Sequence, residues 1–97
     1  MKFKVILTQE SKKDFDRLDG SIKKIVLKKM IQLESNPFLG KPLGNKAGID
    51  LTGYYKLYAA GKIRIVYQVI KQELMIIVIS IGKREDLAAY YLAYFRK

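Results

Sequence analysis

The fold is decided by residues 54–81, YYKLYAAGKIRIVYQVIKQELMIIVISI, which contain three strand patterns in succession. Alternating apolar residues, many of them β-branched or aromatic, are typical of strands. The first pattern ends before Gly61 and the second before residues 71–72, so the connections between them are very short. Because short connections join neighbouring antiparallel strands, these residues predict a three-stranded meander.

The flanking sequence adds one strand and three helices to the meander. Residues 2–8 alternate as a strand with one buried face, and helical spacing follows in two segments that begin at Ser11 and Ser21. Residues 36–53 hold both prolines and four of the seven glycines, which predicts a long irregular connection. Residues 85–95 have the pattern of a closing helix. We therefore expect one domain, residues 1–97, with an α+β fold in the order β-α-α-β-β-β-α, its two early helices packed on a small, mainly antiparallel sheet.

The composition limits the chemistry that the chain can perform. The chain has 97 residues, of which 49% are hydrophobic, and it contains no cysteine and no histidine. The commonest catalytic base and the commonest metal ligand are therefore missing, and we expect metal-free chemistry. No run of eighteen apolar residues or secretory start is found, so we expect a cytoplasmic protein with no membrane partner.

The charge is strongly positive, since 19 lysines and arginines stand against 9 acids for a net charge of +10. A potential of this sign attracts polyanions, which makes nucleic acid or an acidic protein the expected partner. A solvated, lysine-rich surface is the plainer alternative. The excess of basic over acidic residues is concentrated in residues 37–84, which hold eight cations and two acids. The cations are Lys41, Lys46, Lys56, Lys62, Arg64, Lys71, Lys83 and Arg84.

Alternate residues of the second strand pattern point to opposite faces. Arg64 is the first residue on one face, and the residues on the other face are apolar. If the apolar face packs on the early helices, we expect Arg64 on an open face with Lys56 of the preceding strand near it. Lys83 and Arg84 end the third strand and are expected to extend the same cationic patch. Arginine binds phosphate through two parallel charge-assisted hydrogen bonds. The patch is therefore a candidate phosphodiester site.

Tyr90 follows Arg84 by six residues, which is about one and a half turns into the closing helix. Nearby cations favour the phenolate and lower the pKa of a tyrosine from about 10. Tyr90 is therefore a candidate for proton transfer. The other six tyrosines, Tyr58 among them, are expected to be packing or interface residues, and packing is the alternative for Tyr90 as well.

These motifs resemble a known family. The strand RIVYQVI (64–70), the following VISIGKRED (78–86) and the tyrosine six residues after the arginine strongly resemble the RelE toxins of the RelE/ParE superfamily of toxin–antitoxin modules. The order of elements is similar over essentially the whole chain, including the two early helices and the loop NPFLGKPLG (36–44).

The resemblance implies an endoribonuclease that enters the ribosomal A site and cuts the messenger RNA bound there, without metal or cofactor. In RelE-like enzymes the 2′-hydroxyl of the RNA attacks the adjacent phosphate, which leaves a 2′,3′-cyclic phosphate and a 5′-hydroxyl. Carried over by position, Tyr90 would accept the 2′-hydroxyl proton, Arg84 would protonate or stabilise the leaving oxygen, and Arg64 and Lys56 would bind the phosphate. The further residues expected to contact RNA are Lys46, Lys62 and Lys83.

The resemblance also implies a small acidic antitoxin that holds the toxin silent. The complex is expected to bind DNA through the antitoxin, with a heterotetramer as one possible stoichiometry. Two alternatives stay open for the chain itself: a ParE-like toxin that binds DNA gyrase, and a catalytically inactive basic module that binds RNA or represses its own operon.

One position departs from the family pattern. The strand that carries two lysines in the family reads YYKLY (54–58) here, so Tyr58 stands where the second cation is expected. Lys62 and Lys83 are the candidates to replace it. The loop between Tyr58 and Arg64 is also shorter than the family pattern by one residue. The match to the family is therefore weaker at Lys56 than at Arg84 and Tyr90.

Overall fold

A computed structural model describes residues 2–46 and 48–83, apart from the side chains of Lys46 and Ile49. Two α-helices and five strands make up this part of the chain. In chain order they are β1 (Lys4–Leu7), α1 (Gln9–Asp16), α2 (Gly20–Ser35), β2 (Lys41–Lys46), β3 (Ile49–Ala59), β4 (Ile63–Ile70) and β5 (Met75–Lys83), with a short 3-10 helix (Lys71–Glu73) between β4 and β5.

The five strands form one sheet in the order β1-β5-β4-β3-β2. β1 pairs in parallel with β5, and the other neighbours are antiparallel. The two helices connect β1 to the hairpins that follow. The predicted α+β fold and the meander of residues 54–81 are therefore confirmed. The predicted closing helix, residues 85–95, lies outside the described residues.

Both helices cover one face of the sheet. Val26, Met30 and Leu33 of α2 are buried against residues of β3, β4 and β5 that point to this side. Their spacing of four and three residues places them on one stripe of the helix. The strand residues of this core are Leu57, Ala59, Ile63, Ile65, Tyr67, Ile76, Val78 and Ile81.

The helices begin slightly earlier than the serines indicated. Thr8 caps α1, since its side chain accepts a hydrogen bond from the backbone N–H of Ser11 at 3.0 Å. Asp19, not Ser21, is the N-cap residue of α2. Threonine and aspartate have the same capping chemistry as serine, so the polar clusters contained more than one candidate cap.

The expectation that residues 36–53 are irregular throughout is wrong. Residues Lys41–Lys46 form the edge strand β2, which pairs with β3. Pro42 is tolerated there because an edge strand leaves some of its N–H groups unpaired. The register shifts between Pro42 and Gly44, and Gly44 has a φ of +58°. The turn residues of this segment therefore make a bulge inside a hairpin.

Tyr67 ties the loop before β2 to the core. Its ring is fully buried, its hydroxyl donates a hydrogen bond to the carbonyl of Pro37, and the same oxygen accepts one from the N–H of Gly40, both at 2.9 Å. Burial raises the pKa of Tyr67, so this hydroxyl keeps its proton. A single phenol thus satisfies two backbone groups of the loop.

Gly40 lies against the backbone of β3. A Cβ atom at this position would overlap the carbonyl oxygen of Lys56 and lie 2.8 Å from the Tyr67 hydroxyl oxygen. Backbone atoms cannot move aside as the end of a flexible side chain can. Only glycine therefore fits where the loop meets Lys56.

We expect Tyr67→Phe to lower the free energy of unfolding by about 1–3 kcal/mol, because two backbone groups lose their partner. Urea denaturation should show a lower midpoint with an unchanged slope. Tyr55→Phe is the matched control, since Tyr55 stacks on Tyr67 but is only partly buried. Equal midpoints for the two variants would contradict this role of the Tyr67 hydroxyl.

Gly40→Ala should destabilise the protein by about 1–3 kcal/mol through overlap with the Lys56 backbone. Gly20→Ala is the control, because no atom lies within 4 Å of a Cβ there and the position is the first residue of α2. Alanine favours helix, so the control should be neutral or slightly stabilised in thermal unfolding. A neutral Gly40→Ala variant would show that the loop can move away from β3 at little cost.

Candidate functional site

The register between β3 and β4 brings two predicted site residues to one face of the sheet. Tyr58 is paired with Arg64, and Lys56 is paired with Val66. Because directly opposed residues of an antiparallel pair share a face, Lys56, Tyr58 and Arg64 lie side by side. The turn between the strands fixes this arrangement, with positive φ angles at Ala60 (54°) and Gly61 (69°). The helices cover the other face.

Tyr58 lies between the two cations. Its ring centroid is 5.6 Å from the Lys56 ammonium nitrogen and 5.7 Å from the central carbon of the Arg64 guanidinium. Both distances fall within the range of cation–π attraction. The two side chains also hydrogen-bond to the Tyr58 hydroxyl. We call these three residues, Lys56, Tyr58 and Arg64, the cation–phenol cluster.

The cluster changes the acidity of the phenol. The hydrogen bond from Arg64 is the main cause that lowers the pKa of Tyr58 to about 8, with smaller effects from the hydrogen bond and charge of Lys56 and the charge of Arg64. Partial burial opposes this shift. By contrast, burial raises the pKa of Tyr54 and Tyr67. Of these three tyrosines, Tyr58 is therefore the one that releases its proton most readily.

Arg64 lies in a more enclosed position than the sequence indicated. Its side chain is only 6% exposed, and its neighbour Val66 is fully buried. The expectation that this face is open is therefore wrong at Arg64. A second apolar cluster occupies the same face: Leu43, Leu51, Tyr54, Val66 and Ile79. A guanidinium at the edge of such a cluster acts in a lower dielectric than water, which strengthens its attraction for an anion.

The other described candidates lie elsewhere. Lys62 and Lys83 line a cleft on the helix side of the sheet, together with Asp14 and Arg17. Lys83 is paired with Ile63, a residue of the helix-side core, so it points away from Arg64. The structure therefore does not bring Lys62 or Lys83 to the position where Tyr58 replaces the expected lysine.

Lys46 ends β2, where it is paired with Ile49 at the far end of the β2–β3 hairpin from Lys56. Lys41, at the start of the same strand, is paired with Lys56 and adds an exposed cation beside the cluster. From the sequence, Lys41 is recognised only as part of the general excess of cations. Arg84 and Tyr90 lie outside the described residues.

Tyr58 is the functional candidate that sequence reasoning missed, because it was grouped with the packing tyrosines. The signal that identifies it is its position two residues after Lys56 and just before the turn that leads to Arg64. Across a tight hairpin these three residues share a face. Two cations and one weakly acidic phenol can bind an anionic oxygen and exchange a proton next to it.

Residues 2–46 and 48–83 contain no group of three or more acidic side chains placed to hold a metal ion. Within the same residues, no helix is both long enough and apolar enough to cross a membrane.

Comparison with known proteins gives one consistent family. The family model of the ParE toxin of the type II toxin–antitoxin system parDE matches residues 5–88. A protein of Escherichia coli named as a RelE-like toxin is 36% identical over 93 residues, which cover 96% of this chain and 95% of the relative. The mRNA interferase toxin RelE of E. coli K12 is 30% identical over 84 residues, which cover 80% of this chain and 79% of the relative.

A solved structure supports the same assignment. The free E. coli toxin RelE, in a mutant form, superposes with a TM-score of 0.80 at 25% identity, covering 99% of this chain and 98% of that one. The resemblance noted in the sequence is confirmed by the family model, the relatives and the fold. The chain belongs to the RelE/ParE superfamily, the toxins of type II toxin–antitoxin modules.

Proposed function

We propose that this toxin is an endoribonuclease that cleaves messenger RNA bound in the ribosomal A site. The observation that supports the proposal best is the cation–phenol cluster on the sheet face opposite the helices, in a fold shared with a toxin named as an mRNA interferase. Two cations on either side of a titratable hydroxyl suit a reaction in which a phosphodiester gains negative charge. The net charge of +10 favours approach to RNA.

In the proposed reaction the 2′-hydroxyl of the RNA attacks the neighbouring phosphorus, and no metal is required. Arg64 and Lys56 bind the phosphate and stabilise the charge that develops on its oxygens. Such fixed donors in a site of low dielectric are commonly the largest contribution to catalysis. Arg84 stabilises the leaving 5′-oxygen, and Tyr90 is the proton acceptor that the sequence predicts. Lys46, Lys62 and Lys83 are proposed as further RNA contacts, the last two along the helix-side cleft.

We expect Lys56→Ala and Arg64→Lys each to lower the rate of cleavage by about 10²–10³-fold. Arg64→Lys keeps a charge in a buried position but loses the planar pair of donors. Primer extension on ribosome-bound message in a purified translation reaction would measure the rate. Lys28→Ala on the exposed side of α2 removes the same charge far from the cluster and should change the rate by less than about twofold.

The products provide a separate test of the chemistry. The proposed attack leaves a 5′-hydroxyl on the downstream fragment, which polynucleotide kinase can label without prior phosphatase treatment. A 5′-phosphate would contradict attack by the 2′-hydroxyl. A message that stays intact with wild-type toxin would contradict the nuclease itself.

A second candidate function follows from the family model, whose description is that of the ParE toxin. A toxin of that kind would act on DNA gyrase and leave RNA uncut. A gyrase supercoiling reaction run beside the translation reaction separates the two functions. Inhibition of gyrase with intact message would support the second candidate and exclude the first.

We also propose that a small acidic antitoxin, encoded beside the toxin, binds the basic sheet region in the cytoplasm and silences it. We propose in addition that their complex binds DNA through the antitoxin. Membership in a type II toxin–antitoxin family and the charge of +10 support this partner.

We expect the acidic product of the adjacent reading frame to restore translation at equimolar concentration. Its dissociation constant should rise with salt because exposed charges are screened. A neighbouring product that binds with the same affinity at low and high salt would contradict the role of charge. The measurement is isothermal titration calorimetry at two ionic strengths.

A further inference from the structure

The cation–phenol cluster raises the question of why two cations are directed at a phenol. One explanation is structural, in which the ring only separates Lys56 from Arg64. That explanation accounts for the two ring contacts at 5.6 and 5.7 Å. It does not account for the hydrogen bonds that both cations make to the Tyr58 hydroxyl, which favour its ionised form.

The part of the chain that the structure describes offers few other bases on this face. It has no histidine. Asp14 and Asp19 line the helix-side cleft, and the Asp50 carboxylate accepts hydrogen bonds from the backbone and side chain of Thr52. Asp50 is also near the other end of β3, about 25 Å from Tyr58 at the usual rise of a strand. Among the described residues, Tyr58 is the titratable group placed directly between the two phosphate-binding candidates.

We propose that Tyr58 is the general base of the cleavage reaction, which takes the proton of the 2′-hydroxyl while Lys56 and Arg64 hold the adjacent phosphate. This inference rests on the proposed function and replaces Tyr90 in that one role. It gives a purpose to the residue that stands in place of the second lysine of the family pattern.

The proposed step balances without a further reactant. The Tyr58 phenolate accepts the 2′-hydroxyl proton, and the electron pair of the 2′-oxygen forms the new bond to phosphorus. The bond from phosphorus to the 5′-oxygen breaks, and that oxygen takes a proton from water. Tyr58 then releases its proton to solvent, so the net proton count is unchanged.

Among residues 2–46 and 48–83, the charged groups that face Tyr58 all favour its ionised form. They are Lys56 on the same strand, Arg64 on β4 and, one strand further, Lys41 opposite Lys56 on β2. On β5 the partner of Arg64 is Gly82, which adds no side chain. With a pKa of about 8, roughly a hundredfold more phenolate exists at pH 7 than for an ordinary tyrosine.

Binding of the phosphate engages the same cations and partly removes their effect on the phenol. The dependence of kcat/KM on pH reports the free enzyme, whereas that of kcat reports the complex. We therefore expect kcat/KM to rise with pH and level off near pH 8, and kcat to level off at a higher pH. A base remote from the bound phosphate would show no such separation.

The experiment compares the wild type with Tyr58→Phe, Tyr55→Phe and Tyr90→Phe in the ribosome-bound cleavage reaction at several pH values. The ratio of wild-type to variant rate cancels the effect of pH on the ribosome. For Tyr58→Phe we expect a ratio of about 10² or more at pH 8, which falls by up to about tenfold per pH unit below it. Tyr55→Phe removes a hydroxyl from the opposite face of β3 and should give a ratio near one at every pH.

The outcomes are distinct. A Tyr58→Phe ratio near one at every pH overturns the inference and leaves the nuclease intact. A steep pH dependence that Tyr90→Phe abolishes and Tyr58→Phe retains also overturns it, in favour of Tyr90. If the wild type cuts no message at any pH, the proposed function fails and the inference fails with it.

Two measurements cover the case in which Tyr58→Phe does not fold, as judged by circular dichroism. In the wild type, ultraviolet difference spectra should show one tyrosine ionising near pH 8. Lys56→Gln, which removes one cation, should move both that ionisation and the kcat/KM profile to higher pH. A profile that stays in place in Lys56→Gln would overturn the assignment of Tyr58.

Discussion

The pairing register between β3 and β4 is the constraint on which the core and the candidate site both depend. It pairs Tyr55 with Tyr67 on the helix side and Tyr58 with Arg64 on the other side. A slip of one residue would exchange the two faces of either strand. The buried ring of Tyr67 would then leave the core, and Arg64 would enter it. The three-residue turn after Ala59, with two left-handed residues, holds the strands in the observed register.

Two tyrosines on neighbouring strands show how environment sets the behaviour of one amino acid. Tyr67 is enclosed by apolar residues and bonds to backbone groups, so burial raises its pKa and the hydroxyl serves the fold. Tyr58 is partly exposed between two cations, which lower its pKa to about 8. Phenolate formation at Tyr58 should stabilise the folded protein at alkaline pH. This contribution is lost as the pH falls through about 8, because the native pKa is below the unfolded value of about 10.

The sequence predicted the features that depend on local pattern and short connections. Period-two alternation predicts the meander and the core on the helix side. It also predicts that Arg64 points to the face of β4 away from Ile63 and Ile65. β2 was missed because proline and glycine lower strand propensity, and only its pairing with β3 makes Lys41–Lys46 a strand. The burial of Arg64 depends on a second apolar cluster built partly from that missed strand. The lowered pKa of Tyr58 could not be predicted from local pattern, because it depends on two side chains that only the folded register brings to it.

The contact of Gly40 with β3 has a consequence for reactivity. Because position 40 has no side chain, the loop lies directly on the backbone of Lys56. The Tyr67 hydroxyl holds the loop there through the N–H of Gly40. The main chain that carries the Lys56 ammonium is thereby held in place by the fold. An enzyme whose charged groups are already oriented loses less energy to reorganisation in the transition state. In the proposed nuclease, a glycine with no chemistry of its own would thus contribute to the preorganisation of the site.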